Sequence, residues 1–372
     1  MSDFSLTRRH ALRTIAGLGA ATLGAGACSR PDDPPSPTPL ASAGSRRMGA
    51  EWDRHARTLM SWPTATIWYE DVSVVRRDIA GLARAVAEYE AVVLLARPED
   101  VDDASRACGS GVEVVPIPVD DLWARDTAPV FVSDGGVDFN FNGWGSKQPH
   151  ANDAGVARAV LAKYGLPRVQ TTLVAEGGAL ETDGQGTLLV TESSLVNKNR
   201  NPGLTRQQIE DELKRVLGVT KVIWFVGVRN KDITDAHVDC LARFVAPGVV
   251  LLDQAAAGSP PDIWSRAADQ ARTVLAESTD ATGKPLQVID LPQPDPDRVT
   301  VRGSKSVISY ANFYVGNGAV FLPKFGDAEA DDRAGQILRE HLPGREIVPV
   351  RIDAIAAGGG GIHCATHDQP AG

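Results

Sequence analysis

Cysteine is scarce in this chain. The 372 residues hold four, Cys28, Cys108, Cys240 and Cys364. A fold stapled by disulfides is therefore not expected, and the length suffices for a hydrophobic core without them. Setting aside Cys28 in the N-terminal segment leaves three, and an odd number leaves at least one free thiol or an intermolecular bond. The apolar run Ile15 to Ala27 is too short to span a bilayer. A surplus of basic charge is lacking as well. Six of the 38 Lys and Arg and three of the 47 Asp and Glu lie in the first 47 positions, leaving 32 against 44 and a net charge of −12 on the rest. That argues against a nucleic acid as partner. It leaves a cationic ligand open, beside the commoner reason for acidity, a solvated surface. What is present is ordinary for a globular protein, 43% hydrophobic and 23% charged residues, in a length that holds one large domain or two.

The N-terminus has the layout of an export signal. Thr7-Arg8-Arg9-His10-Ala11-Leu12-Arg13 is a twin-arginine motif followed by the apolar run. Ala25-Gly26-Ala27 before Cys28 has the small-residue character of a bacterial lipobox, although leucine is more usual at its first position. Residues 1–28 are expected to be a twin-arginine signal peptide, with Cys28 as a candidate lipidation site; cleavage at an ordinary small-residue site is the alternative. Residues 29–47 include the proline-rich stretch Arg30 to Pro39, a polar tether, and a single catalytic domain is expected over 48–372. These features predict an exported, extracytoplasmic protein attached to a membrane through lipid on Cys28.

Beyond Met48 the chain reads as five helix-then-strand units, an α/β pattern. Arg76 to Glu90 predicts a helix with Ile79, Leu82, Ala83 and Val86 on one face, followed by a strand from Val92 to Ala96. Asn152 is placed to cap a helix ending at Gly165, with a strand over Val169–Val174. Thr205 and Gln208 form a capping-box pattern for the third helix, whose apolar face is Ile209, Leu213, Val216 and Leu217 and whose stop is Gly218. Helices over Asp262 to Glu277 and from Asp327 to Leu342, with strands at Leu286–Ile289 and Ile347–Val350, complete the set. Strand-like runs lie between the units at Val137–Phe141, Thr187–Val190, Val249–Leu252 and Ala319–Leu322. An open sheet with crossover helices is the default for such a pattern. A radial arrangement is favoured here because each unit is followed by one motif carrying a polar or reactive group: Asp121-Leu122-Trp123-Ala124-Arg125-Asp126, Glu176-Gly177-Gly178, Asp235-Ala236-His237-Val238-Asp239-Cys240, Tyr310-Ala311-Asn312, and Gly358-Gly359-Gly360-Gly361-Ile362-His363-Cys364. Five such motifs converge only around a common axis.

Cys364 at the end of the glycine run is a candidate nucleophile, with an inert buried thiol as the plainer reading. His237 is the best proton carrier, and on a strand Asp239 two residues on faces the same side. On paper His237, Cys240, His363, Cys364 and His367 could be assembled into a zinc site, but the compact ligand spacing of structural sites is missing and no metal is expected. Carboxylates from three units, Asp126, Glu176 and Asp239, suit a planar guanidinium with its fixed fork of donors, and Trp123 can cover its face. The plainer readings are a salt bridge from Asp126 to Arg125 and core packing for Trp123.

These motifs, with Asn197-Lys198-Asn199-Arg200-Asn201-Pro202, Tyr310-Ala311-Asn312-Phe313-Tyr314, Met48-Gly49-Ala50-Glu51-Trp52 and Trp62-Pro63, resemble the agmatine deiminase family, which includes bacterial peptidyl-arginine deiminases. The resemblance runs from about Met48 to Pro370. It implies the five-bladed α/β propeller, or pentein, of guanidino-group-modifying enzymes, with pseudo-fivefold units around a central site. It also implies hydrolysis of agmatine to N-carbamoylputrescine and ammonia through a covalent thiouronium on Cys364. Asp126 and Asp239 would bind the guanidinium, and His237 would protonate the ammonia and then activate water. Trp123, Glu176, Asn312 and Gly361 would line or support the substrate. No cofactor is implied. A homo-oligomer remains open. Deimination of free or peptidyl arginine to citrulline is the alternative, and a non-catalytic lipid-anchored amine-binding protein a second. The departures are Gly361 where many agmatine deiminases have asparagine, Cys240 directly after Asp239, and Lys147 as the sole basic residue from Phe139 to Gln148, where the peptidyl branch uses arginines.

Overall fold

In the computed structural model, residues 46–303 and 305–372 are described. The expected export signal, the expected lipobox with Cys28 and the expected tether as far as residue 45 lie outside the described residues. The described residues belong to one compact unit.

Five small sheets make up that unit, and the five expected helices supply their crossovers. In each, two antiparallel strands are followed by a helix and a third strand parallel to the second. The second sheet takes Val130–Val132, Gly135–Asp138, the helix Asp153–Lys163 and Arg168–Gln170. The third takes Glu181–Thr182, Thr187–Thr191, the helix Arg206–Leu217 and Lys221–Phe225. The fourth takes Ala242–Ala246, Val249–Gln254, Ile263–Glu277 and Gln287–Pro292. The fifth takes Tyr314–Val315, Ala319–Lys324, Ala328–His341 and Glu346–Arg351. In the first sheet His55–Ser61 and Val92–Leu95 are joined by the helix Val72–Ala87. Its antiparallel partner is the C-terminal strand Thr366–Pro370, with Leu59 opposite His367. The ring is thus closed by the two ends of the domain. A parallel pair cannot be joined by a tight turn, which is why each unit needs its helix.

The helices bury the faces their spacing marks: Ile79, Leu82, Ala83 and Val86 in the first, and Ile209, Leu213, Val216 and Leu217 in the third. The Thr205–Gln208 capping box forms, and Gly218 ends that helix in the left-handed conformation, φ 72°. Asn152 and Asp327 do not cap. The Asn152 side chain donates to Asp120 instead, and Asp327 is engaged by Arg298 and the Asp295 amide. Two expected strands end early. Asn140 adopts φ 54°, and its side chain donates to the carbonyls of Thr171 and Leu173. That bond peels both chains off the sheet, so Gly135–Asp138 and Arg168–Gln170 stop short of Phe141 and Val174.

One single helical turn precedes the first strand of every sheet: Ala124–Thr127, Gly177–Ala179, Val238–Cys240, Tyr310–Asn312 and Ile362–Ala365. The five reactive motifs occupy these equivalent turns. They point inward because each strand starts at the centre of the ring.

Candidate active site

Two of the other turns crowd Gly178. A methyl group built on Gly178 would lie 2.7 Å from His237 Nδ1, 2.9 Å from Asp126 Oδ1 and 3.0 Å from Asp239 Oδ2. Three polar groups from two units thus meet against the backbone of a third. Asp239 is not on a strand beside His237, as the alternation argument expected. His237 caps the turn that holds Asp239, and the tight winding of that turn aims both inward.

Cys364 completes the group. Its Sγ lies 3.5 Å from Asp239 Oδ2 and 3.3 Å from Asn312 Nδ2, and its amide donates to Asn312 Oδ1 at 3.2 Å. Asn312 therefore grips the cysteine at both backbone and thiol. Three of the glycines before it allow close packing. A side chain at Gly361 would collide with Asn312, one at Gly360 with the Trp123 ring, and one at Gly358 with Trp68. Only Gly359 needs a left-handed backbone, φ 103°.

Each carboxylate is held from behind. Asp126 accepts from Trp144 Nε1 at 2.9 Å and from the Gly178 amide at 3.0 Å. It makes no salt bridge with Arg125, whose guanidinium turns away to Glu51 and Asp368, at 2.8 and 2.9 Å. Asp239 accepts from His363 Nδ1 at 2.8 Å, while His363 Nε2 meets Glu51 at the same distance. Glu176 is paired with Arg200 at 2.9 Å and reaches His237 Nε2 at 3.2 Å. Asp239 Oδ1 and His237 Nδ1 are buried with no hydrogen-bond partner. Buried polar atoms are rarely left so.

The electrostatics follow from crowding charges away from water. Burial works to lower the His237 pKa, but Asp126, Glu176 and Asp239 together push it up to about 9. Burial works to raise Asp239, but His363, His237 and Arg243 hold it at about 2. Asp126 is raised, by burial first and by the charges of Asp239 and Glu176, against the pull of His237. For Cys364 a hydrogen bond from Cys240 works to lower the thiol pKa; burial, Asp239 and Asp126 outweigh it and the pKa rises. At neutral pH the site therefore holds an imidazolium, a thiol and an ionised Asp239.

The group opens into a cleft of about 500 Å³ walled by Trp68, Trp123, Trp144, Asp126, Gly359 and Cys364. Trp123 packs against Trp68 with ring centroids 6.2 Å apart. Lys147 does not serve the cleft as a carboxylate clamp, because it is bound to Asp235 at 2.7 Å and to two carbonyls. Of the residues singled out from sequence, Cys364, His237, Asp126, Asp239, Glu176 and Asn312 come together, with Trp123 on the wall. Trp144, Gly178, Arg200 and Glu51 were not singled out, and His363 was named only as a metal ligand on paper. Glu51 and Arg200 stood within quoted motifs, but nothing local marks a surface-like Glu or Arg as a buried partner.

A thiol, an imidazolium and paired carboxylates at the centre of a five-bladed α/β propeller define the class of guanidino-group-modifying enzymes. The comparisons narrow the class. The model of the Porphyromonas-type peptidyl-arginine deiminases matches residues 47–370, and the chain belongs to that family. It is 35% identical to an agmatine deiminase of Medicago truncatula, over 87% of this chain and 96% of the plant protein. It is 37% identical to one of Pseudomonas aeruginosa, over 90% and 98%. The solved structure of the Enterococcus faecalis agmatine deiminase superposes with a TM-score of 0.82 at 30% identity, covering 87% of this chain and 96% of that one.

Proposed function

We propose that this protein hydrolyses agmatine to N-carbamoylputrescine and ammonia. The observation that carries the reading is the convergence of Asp126, Asp239 and His237 around Gly178, with Cys364 Sγ 3.5 Å from Asp239 and with Asp239 Oδ1 and His237 Nδ1 buried without partners. A guanidinium placed there satisfies Asp239 Oδ1 and neutralises the crowded acids. Its positive charge beside Sγ lowers the thiol pKa, so substrate binding generates the thiolate and the Sγ proton leaves to water in the cleft. The thiolate attacks the guanidinium carbon, and the His237 imidazolium, protonated at rest, gives its proton to the departing ammonia. The resulting thiouronium is attacked by water. His237, now neutral, takes one water proton; as the C–S bond breaks, the remaining hydroxyl proton passes to the departing sulfur, which releases the neutral ureido group and restores the thiol and the imidazolium. Asn312 fixes the nucleophile, and Trp123 with Trp144 shapes the slot for a flat cation.

The assay is release of ammonia and ureido product from a panel of agmatine, free arginine and peptides with internal or C-terminal arginine. Agmatine is expected to be turned over with the highest kcat/KM. Tight amine binding without product would favour the non-catalytic reading. Preference for a carboxylate-bearing substrate would favour arginine deimination, and Arg302 and Lys305 on the cleft wall are the residues to substitute in that case.

Export by the twin-arginine route and anchoring through lipid on Cys28 are part of the same proposal. They are supported by Arg8-Arg9, the apolar run and the residues before Cys28. Among the described residues no helix is long and apolar enough to cross a membrane, so anchoring rests on the lipid. Metabolic labelling with a radioactive fatty acid tests it: label is expected on the native chain and lost in Cys28→Ala.

A further inference from the structure

Cys240 is given no contact with substrate in the proposed deimination, yet it stands beside the nucleophile. Asn312 Nδ2 donates to both thiols, at 3.2 Å to Cys240 Sγ and 3.3 Å to Cys364 Sγ. Asp239 lies against the same pair. A carboxylate oxygen of Asp239 and the two sulfurs are all within 4.8 Å of one another. The thiols are free.

We infer that Asp239, Cys240 and Cys364 form a site for a thiophilic divalent cation of the zinc class, and that occupation blocks the enzyme. Three observations carry this. The geometry suits a tetrahedral ion. Zinc bonds of about 2.3 Å to sulfur and 2.0–2.2 Å to oxygen imply ligand separations of about 3.5–3.8 Å, and Cys364 Sγ is 3.5 Å from Asp239 Oδ2. The ligand set is soft, two sulfurs to one carboxylate, which selects zinc over magnesium or calcium. The third observation is independent of the ligand count. Asp239 is 1% exposed and its Oδ1 has no partner, so a buried acceptor already waits for a cation. His363 holds Asp239 Oδ2 at 2.8 Å and is itself held by Glu51, the kind of support that orients a carboxylate ligand.

Of the five residues that sequence alone would assemble into a zinc site, only the two cysteines meet. His363 is tied to Asp239 and Glu51, and His367 Nδ1 faces the Arg125 carbonyl at 3.1 Å. Burial first, and the charge of Arg125 next, depress the His367 pKa to about 3. Three protein ligands leave the fourth position to water from the cleft. Binding replaces two S–H bonds by two S–metal bonds and releases two protons. It consumes Cys364 and Asp239 together, so metal and guanidinium exclude one another.

The test is made on the full folded domain, in buffer free of thiol reductants, with cobalt(II) and zinc(II) chloride as probes. Cobalt is expected to bind at one equivalent and to give the near-ultraviolet absorption of thiolate ligation. In Cys240→Ser that intensity should fall to about half, one thiolate remaining of two. Zinc is expected to inhibit agmatine turnover competitively. Cys240→Ser and Cys240→Ala should weaken that inhibition at least about tenfold, each judged against the variant's own rate without zinc. The inference is overturned by a smaller shift in both variants, or by a native protein that takes up cobalt without the thiolate band. The cobalt spectrum needs no turnover. A protein that shows the two-thiolate band but leaves agmatine untouched would sustain this inference and refute the proposed activity.

Discussion

Gly178→Ala is a small change that reaches His237, Asp126 and Asp239 at once. The added methyl would sit 2.7 Å from His237 Nδ1, 2.9 Å from Asp126 Oδ1 and 3.0 Å from Asp239 Oδ2. Ordinary van der Waals contact begins near 3.4 Å, so each group must retreat by roughly 0.4–0.7 Å, close to the tolerance of about 0.5 Å for a productive site. None can move freely. Asp126 is held by Trp144 and the Gly178 amide, Asp239 by His363, and His237 by Glu176. A misplacement of about 1 Å can cost about 10²-fold in rate, so a fall in kcat/KM of about tenfold to a hundredfold is expected, or about 1.4–2.7 kcal/mol of transition-state stabilisation. Overpacking itself costs about 1–3 kcal/mol of stability, a lowering of the melting temperature by a few degrees in a folded protein. Gly155→Ala is the matched control. A side chain there meets nothing within 4 Å, and on the helix Asp153–Lys163 it should stabilise by roughly 0.5–1 kcal/mol with activity unchanged. Ammonia release and thermal melting on both variants decide the matter. A folded Gly178→Ala protein with kcat/KM within about twofold of native would refute the claim that these three atoms must converge.

Three further outcomes follow from the same geometry. Cys364→Ser should abolish turnover while binding agmatine by calorimetry; retained activity would remove Cys364 from the nucleophile's role. Trp144→Phe strips Asp126 of a 2.9 Å donor and should lower kcat/KM by about tenfold or more, since a hydrogen bond to a charged group is worth about 1.5–3 kcal/mol; an unchanged value would mean that Asp126 needs no support. Thermal stability should fall as pH rises from about 6.5 to 9. The folded pKa values of His237 and His55 are raised to about 9 against burial, by Asp126 and Glu176 in one case and by Glu90 and Asp368 in the other. Their contribution is complete below the unfolded value and is lost as pH passes the folded one; a melting temperature that holds or climbs over that window would contradict the assignment.

Helices were the most legible part of the fold, because amphipathic spacing and a capping box are local signals. The ring closure was not legible. Thr366–Pro370 is a polar run, and it is a strand only because His55–Ser61 offers it a pairing edge. The helix Val101–Cys108 and strand Val112–Val115 that extend the first sheet were passed over for want of length. Asn152 carried a cap residue's identity, but Asp120 competed for its side chain and won. In the site, the motif after each unit marked Cys364, His237, Asp126 and Asp239, since reactive residues amid glycine or aromatic neighbours stand out. Their supports did not stand out. Trp144 owes its place to φ 55°, and Glu51 to contacts with Arg125, Arg243 and His363 from three other units. The pairing of Cys240 with Cys364 is likewise tertiary. Nothing in the spacing of two cysteines so far apart in sequence tells that one asparagine bonds to both.

Acid quenching of the protein during agmatine turnover, followed by mass analysis of the peptide that carries Cys364, tests the central claim most directly. The account predicts that this peptide gains the mass of agmatine less one ammonia, and that the gain is absent in Cys364→Ser. Steady release of ammonia with the Cys364 peptide unmodified, or with the adduct on another residue, would contradict it.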